Sequence, residues 1–230
     1  NGLTEEEVEN NVLNLINDAI EDGYKLIMIR SNYVTLAKQK LAEAKSKVLV
    51  GTVIDFPFGN SGLETKLKQA NEAIQFGADE LDFVIDYDAF KKGQIKQVKD
   101  EVLKATQLGL SNNKIVKWII EVAALNNKQI VQLTSLIKKI VVTNFEENEY
   151  EKVFVKSSTG FYKTESDKPN GATFESIVLM LENATPLSVK ASGGITNVDD
   201  AIRMIKLGVK RIGTSSQKAI LFGTDLNSKY

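Results

Sequence analysis

Seven short strand-patterned runs recur along the chain, and each is followed by a loop and then a helix-patterned segment. They are Lys25–Ile29, Val48–Ile54, Glu80–Ile85, Lys114–Glu121, Lys152–Lys156, Leu187–Ala191 and Lys210–Gly213. Val48–Ile54 is near-continuously apolar, as suits a sheet covered on both faces, and strand–helix alternation implies a parallel sheet with helices outside it. The helices are predicted after Thr4, over Val34–Lys45, Leu63–Phe76, Gln94–Leu108, Asn127–Thr143, Phe174–Leu181 and Val198–Leu207, and from Ser216 to Phe222. Thr4 and Glu7 have capping-box spacing, and Gly23, Gly77 and Gly109 read as helix stops. No linker divides the 230 residues, which read as a single domain over 1–230.

A closed (β/α)8 barrel of the TIM type accounts for this better than an open doubly wound sheet. The units are similar in size, and the polar residues that interrupt the strands fall toward strand C-terminal ends, where such barrels carry their sites. Eight strands are needed and seven are present. The first strand would precede the helix that begins after Thr4, and it is expected to be missing from this sequence. Its loss from the fold itself would leave unpaired edges.

Strand parity singles out the candidate chemistry. Alternate residues of a strand share a face. With Leu81, Phe83, Val116, Trp118, Val153, Val155, Leu187 and Val189 facing the helices, Asp82, Lys117, Lys156 and Lys190 all point into the barrel. One such lysine is explained by a strand end reaching water. Four ionisable groups converging from four strands are harder to explain, because an unpaired buried charge costs several kcal/mol; a structural ion-pair network is the alternative. Clustered ammonium groups lower one another's pKa, and a neutral lysine attacks a carbonyl to form a Schiff base. Asp82, or a water it holds, can then carry protons.

Composition narrows the options further. There is no histidine and no cysteine, so the usual general base, thiolate chemistry and the commonest metal ligands are excluded. The chemistry above calls for no metal and no cofactor. Arginine occurs only at positions 30, 203 and 211, and 29 basic residues balance 30 acidic ones, which gives no nucleic-acid footprint. No apolar run has the length of a membrane span and the N-terminus is not a signal peptide, so a cytoplasmic protein without membrane contact is expected.

Two glycine-rich loops complete the pattern. Ser192-Gly193-Gly194-Ile195-Thr196 and Gly213-Thr214-Ser215-Ser216 follow the last two strands. Barrels often bind phosphate there, through backbone amides and a helix N-terminus. The pair favours a phosphorylated substrate over ordinary turns.

Taken together, these runs resemble the deoxyribose-phosphate aldolases, a family of class I Schiff-base aldolases. The resemblance rests on Thr52–Gly59 (TVIDFPFG), Gly77–Ile85 (GADELDFVI), Lys117–Glu121 (KWIIE), Phe154–Phe161 (FVKSSTGF), Val189–Ile195 (VKASGGI) and Arg211–Ser215 (RIGTS), in the family's order over essentially the whole chain. It implies that Lys156 is the Schiff-base lysine and that Lys190 lowers its pKa. Asp82 would be the acid/base carboxylate and Lys117 a further active-site lysine, with Gly160, Gly193, Gly194, Ser215 and Ser216 on the substrate phosphate. The implied reaction is reversible cleavage of 2-deoxy-D-ribose 5-phosphate to D-glyceraldehyde 3-phosphate and acetaldehyde, in a dimer or higher oligomer. The chain departs from the family in lacking the initial strand with its Asp-His-Thr-like run, in Met28 where many members have cysteine, and in the acidic Asp86 and Asp88. The terminal Tyr230 matches a tyrosine that some members use in proton transfer, or is a plain exposed end. A non-catalytic phosphosugar-binding barrel and a transaldolase-like Schiff-base enzyme for another phosphosugar remain alternative readings.

Overall fold

The structure, a computed structural model, describes residues 2–165 and 168–223; Tyr230 lies outside the described residues. Seven strands form one parallel sheet in sequence order: β1 (Leu26–Ile29), β2 (Leu49–Ile54), β3 (Glu80–Val84), β4 (Ile115–Ile119), β5 (Val153–Lys156), β6 (Ser188–Ser192) and β7 (Arg211–Gly213). Around them lie α1 (Glu5–Glu21), α2 (Val34–Glu43), α3 (Leu63–Gln75), α4 (Tyr87–Lys91), α5 (Ile95–Ser111), α6 (Asn127–Asn144), α7 (Phe174–Ala184), α8 (Val198–Leu207) and α9 (Gln217–Phe222). None of the described helices is long and apolar enough to cross a membrane.

The sheet is strongly curled. In a flat sheet β3 and β7 would lie about 19 Å apart, four strand spacings. Instead the Arg211 guanidinium on β7 reaches Glu80 on β3 at 3.4 Å, and Lys190 on β6 reaches Asp82 on β3 at 3.3 Å. Among the described residues β1 pairs only with β2 and β7 only with β6. The arrangement is that of a TIM barrel seen with seven of its strands, as the sequence implies. The helical ring nonetheless meets across the seam, where Lys218 of α9 bonds Asp18 of α1 at 2.6 Å. That pair is half-exposed and contributes little stability.

Parity is as the sequence predicts. Trp118 points outward, fully buried, with its indole N–H donating to Thr106 of α5 at 2.9 Å and its ring stacked on Phe83 at 5.1 Å. Phe154 points inward, with Arg211 over its ring. The α1 start also matches, because the Thr4 hydroxyl accepts from the Glu7 amide and the Glu7 carboxylate accepts from the Thr4 amide.

Three expectations need correction. The short helix α4 and the 3-10 turns at Ser31–Tyr33, Val122–Ala124 and Glu147–Lys152 are absent from the sequence reading, because segments this short carry no helical period. The last helix begins at Gln217 rather than Ser216, whose amide is taken by the Thr214 side chain. Gly109 does not stop α5 but lies inside it, where an added Cβ would come within 2.3 Å of a Val116 methyl on β4. Helix and strand touch there because the residue has no side chain. Gly109→Ala should therefore destabilise the fold by about 1–3 kcal/mol through overpacking, despite the better helix propensity of alanine. Urea unfolding at neutral pH checks this, and a variant as stable as the parent would contradict the packing account.

Candidate active site

The four ionisable residues marked by parity meet at one carboxylate. Asp82 stands beside Lys117 in the β3–β4 register, and Lys156 beside Lys190 in the β5–β6 register. Curling brings the two pairs together across the interior. Asp82 Oδ2 accepts from Lys156 Nζ at 2.9 Å and from Lys190 Nζ at 3.3 Å, while Oδ1 accepts a short hydrogen bond from Lys117. All four residues are buried, Asp82 and Lys117 almost completely.

Two further charges belong to this network and were missed by the sequence reading. Glu80 pairs with Lys117 and with Arg211. Glu80 shares the inward face of β3 with Asp82, so the same parity argument extends to it. Arg211 sits in a strand of three residues, too short for parity to orient.

The interior thus sets four cations (Lys117, Lys156, Lys190, Arg211) against two anions (Glu80, Asp82). A surplus of positive charge away from water has two consequences. Burial alone would raise the Asp82 carboxyl, but Lys117, Lys156 and Lys190 outweigh it and hold the group far below the usual carboxylate range. Burial, with repulsion from Lys156 and Lys117, pulls Lys190 down from 10.5 to about 7 against the attraction of Asp82. Lys190 is therefore poised to give or take a proton near neutrality.

The glycine loops converge at the same end of the sheet. The Gly160 and Gly193 backbones pass so closely that a Cβ on Gly193 would stand 3.5 Å from the Gly160 Cα. Gly171, missed in the sequence, is tighter still, because a Cβ there would come within 2.4 Å of the Gly193 carbonyl. The Ala172 amide donates to the Ser192 and Gly193 carbonyls at 3.1 and 3.0 Å, which holds the two loops in contact. Gly194 and Ser215 are exposed. The Thr214 hydroxyl donates to the Ile195 carbonyl at 2.7 Å and accepts from the Ser216 amide at 2.8 Å, joining the Ser215–Ser216 run to the Gly193–Gly194 loop.

A second buried charge cluster lies between β2, β3 and the helices outside them. Lys66 on α3 is fully buried, bonds the Gly59 carbonyl at 2.7 Å and pairs with Glu101 of α5 and Asp55. Its spacing from buried Ala70 and Ala73 puts it on the inner stripe of α3, a signal available in the sequence but unread. Asp86 belongs here, donating its amide to Glu101 and capping α4 through Ala89, whereas Asp88 is half-buried and pairs with Lys91. Burial pushes Glu101 up to about 7, with Lys66 opposing and Asp86 adding to the rise.

A pH test follows from Lys190. Between its folded value of about 7 and its ordinary 10.5 the unfolded chain carries one proton more at this position, so stability should rise with pH across that window. The group should contribute a slope of up to about 1.4 kcal/mol per pH unit. Lys190→Met should remove it, so that the parent gains unfolding free energy relative to the variant between pH 7 and pH 9 in urea titrations. A difference that does not change with pH would contradict the shift.

Comparison with known proteins places this geometry. A family model described as DeoC/LacD family aldolase matches residues 2–221. The chain is 37% identical to a deoxyribose-phosphate aldolase of Histophilus somni over 230 residues, covering 99% of this chain and 94% of the relative. It is 38% identical to one of Metamycoplasma arthritidis over 216 residues, covering 94% and 89%. Among solved structures, an aldolase designated QR15 superposes with a TM-score of 0.77 at 30% identity, covering 96% of this chain and 92% of that one. A tetrameric deoxyribose phosphate aldolase from Aeropyrum pernix gives 0.76 at 27% identity, covering 96% and 85%. A lysine-lined parallel barrel matched over nearly its whole length by such relatives makes this chain an enzyme of the DeoC/LacD aldolase family.

Proposed function

We propose that the chain reversibly cleaves 2-deoxy-D-ribose 5-phosphate to D-glyceraldehyde 3-phosphate and acetaldehyde through a Schiff base on Lys156. The observation that carries this reading is the Asp82 oxygen shared by Lys156 and Lys190. Attack on the C1 aldehyde of the open-chain sugar needs Lys156 as the free amine. Lys190, which shares the Asp82 oxygen with it, takes the proton. The carbinolamine loses water to give a protonated imine. Loss of the C3 hydroxyl proton then breaks the C2–C3 bond, and the electron pair moves toward the imine nitrogen. Glyceraldehyde 3-phosphate departs and an enamine remains. Protonation at C2 and hydrolysis release acetaldehyde and return the amine. Lys190, at about 7, can both accept and donate a proton over one turnover. Lys117 holds the other Asp82 oxygen and fixes the carboxylate.

The surplus positive charge supports an anionic substrate, because a cavity of one sign raises the local concentration of its counter-ion. The Gly160, Gly193–Gly194 and Ser215–Ser216 runs, joined at the strand C-terminal ends, suit the 5-phosphate. The relatives' names support the same substrate.

Incubation with 2-deoxyribose 5-phosphate and borohydride, followed by peptide mapping, should place a two-carbon or sugar adduct on Lys156. Lys156→Leu should lose the adduct and at least about 10³-fold in turnover. An adduct on another lysine, or none, would reject this mechanism. Acetaldehyde release by the parent chain separates it from a barrel that only binds the sugar.

A further inference from the structure

Glu121 is not used in the mechanism above, yet it sits at the end of β4 against the run that begins at Lys156. It is 1% exposed, and its backbone is left-handed at φ 54° and ψ 70°. That conformation is uncommon for a residue with a side chain and costs about 1–3 kcal/mol, so it persists only where the surroundings enforce it. Its effect here is to aim the carboxylate at the neighbouring loop. Oε2 accepts from the Thr159 amide at 3.1 Å and takes a short hydrogen bond from the Thr159 hydroxyl. The residues on either side tie the same run through their backbones, since the Ile120 amide donates to the Lys156 carbonyl at 3.0 Å and the Val122 amide to the Ser157 carbonyl at 2.9 Å. Three consecutive residues therefore hold positions 156, 159 and 157, and the middle one does so with a buried charge.

The opposite side of the run is fixed to β6. The Ser157 hydroxyl donates to the Ser192 carbonyl at 2.8 Å and accepts from the Ser192 amide at 2.9 Å, and the Ser192 hydroxyl donates to the Ser158 carbonyl at 2.7 Å. The turn is thus clamped between β4 and β6, and the residue after Thr159 is Gly160, which lies against Gly193. Burial pushes the Glu121 carboxyl up, opposed first by the Thr159 hydrogen bonds and then by Ser158 and Lys156.

We propose that Glu121 is a positioning residue which, through its two hydrogen bonds to Thr159, sets Gly160 against Gly193 and so gives the enzyme its preference for a phosphate monoester over the free sugar. The proposal rests on the substrate reading above. Glu121 does not touch the reacting atoms in this account. Its loss should loosen the phosphate side more than the lysine side, because Ser157 keeps its bonds to Ser192 and the Lys156 carbonyl keeps Ile120.

The test compares kcat/KM for 2-deoxyribose 5-phosphate and for 2-deoxyribose in the parent, in Glu121→Gln, in Thr159→Val and in the double variant. Glutamine keeps the length and an acceptor oxygen but loses the charge. The ratio of the two kcat/KM values should fall about tenfold in each single variant, the size of one charged hydrogen bond. The rise in KM should be confined to the phosphorylated sugar. The two losses should combine less than additively in the double variant, because both weaken the same Glu121–Thr159 contact. Equal losses on both sugars in Glu121→Gln and Thr159→Val would overturn the proposal and leave Glu121 a structural residue. If Glu121→Gln does not fold, Thr159→Val alone decides by the same ratio. A parent chain without turnover on either sugar rejects the aldolase reading and the present proposal with it.

Discussion

Three ammonium groups share one carboxylate inside the barrel, and the rest of the site depends on that imbalance. Asp82 cannot neutralise Lys117, Lys156 and Lys190 together, even with Glu80 added on the next inward position of β3. The excess is relieved where desolvation is severe and the hold on Asp82 is longest, which is Lys190 at 3.3 Å. Replacing the cluster with apolar residues of similar volume would often stabilise a protein, since burying ions costs more than their attraction returns. Its presence inside the barrel is therefore not explained by folding stability alone.

The same carboxylate explains why curvature matters. Asp82 and Glu80 lie on β3, and their partners lie on β4, β5, β6 and β7. In a flat sheet only Lys117 could reach them. Curling of the sheet converts inward parity, which any alternating strand has, into a meeting of charges. The (β/α)8 geometry is therefore part of the electrostatics, and the helices outside it exclude the water that would screen them.

Much of this was legible in the sequence, and the gaps have physical causes. Period-two alternation in β3 to β6 located Asp82, Lys117, Lys156 and Lys190, and the structure brings them into one network. Glu80 has the same parity as Asp82 and follows from the same alternation. Arg211 has no such signal, because three residues give no period. Gly109 reads as a helix stop because sequence shows a glycine but not the Val116 methyl it must accommodate. Lys66 was overlooked because a lysine on a helix is ordinarily at the surface. Only its alignment with Ala70 and Ala73 betrays burial.

Two strand ends share one device. Asp55 after β2 and Glu121 after β4 are both buried acidic residues with positive φ, at 55° and 54°. Continued extension would carry each side chain on along its strand. The left-handed turn instead redirects the carboxylate sideways, Asp55 to the amide and hydroxyl of Ser61 at 3.0 and 2.6 Å, and Glu121 to those of Thr159. Each carboxylate accepts an amide and a hydroxyl from one residue, bonds worth about 1.5–3 kcal/mol apiece when the acceptor is charged. That is enough to offset backbone strain of about 1–3 kcal/mol. What the arrangement secures besides stability is position. It fixes the loops after β2 and β5 at the end of the barrel where Asp82 and its lysines lie. An alanine at either position would relieve little strain, since it also carries a Cβ, and would lose both bonds. Glycine would relieve the strain and still release the loop. Holding the loop therefore depends on a carboxylate at each of these two corners.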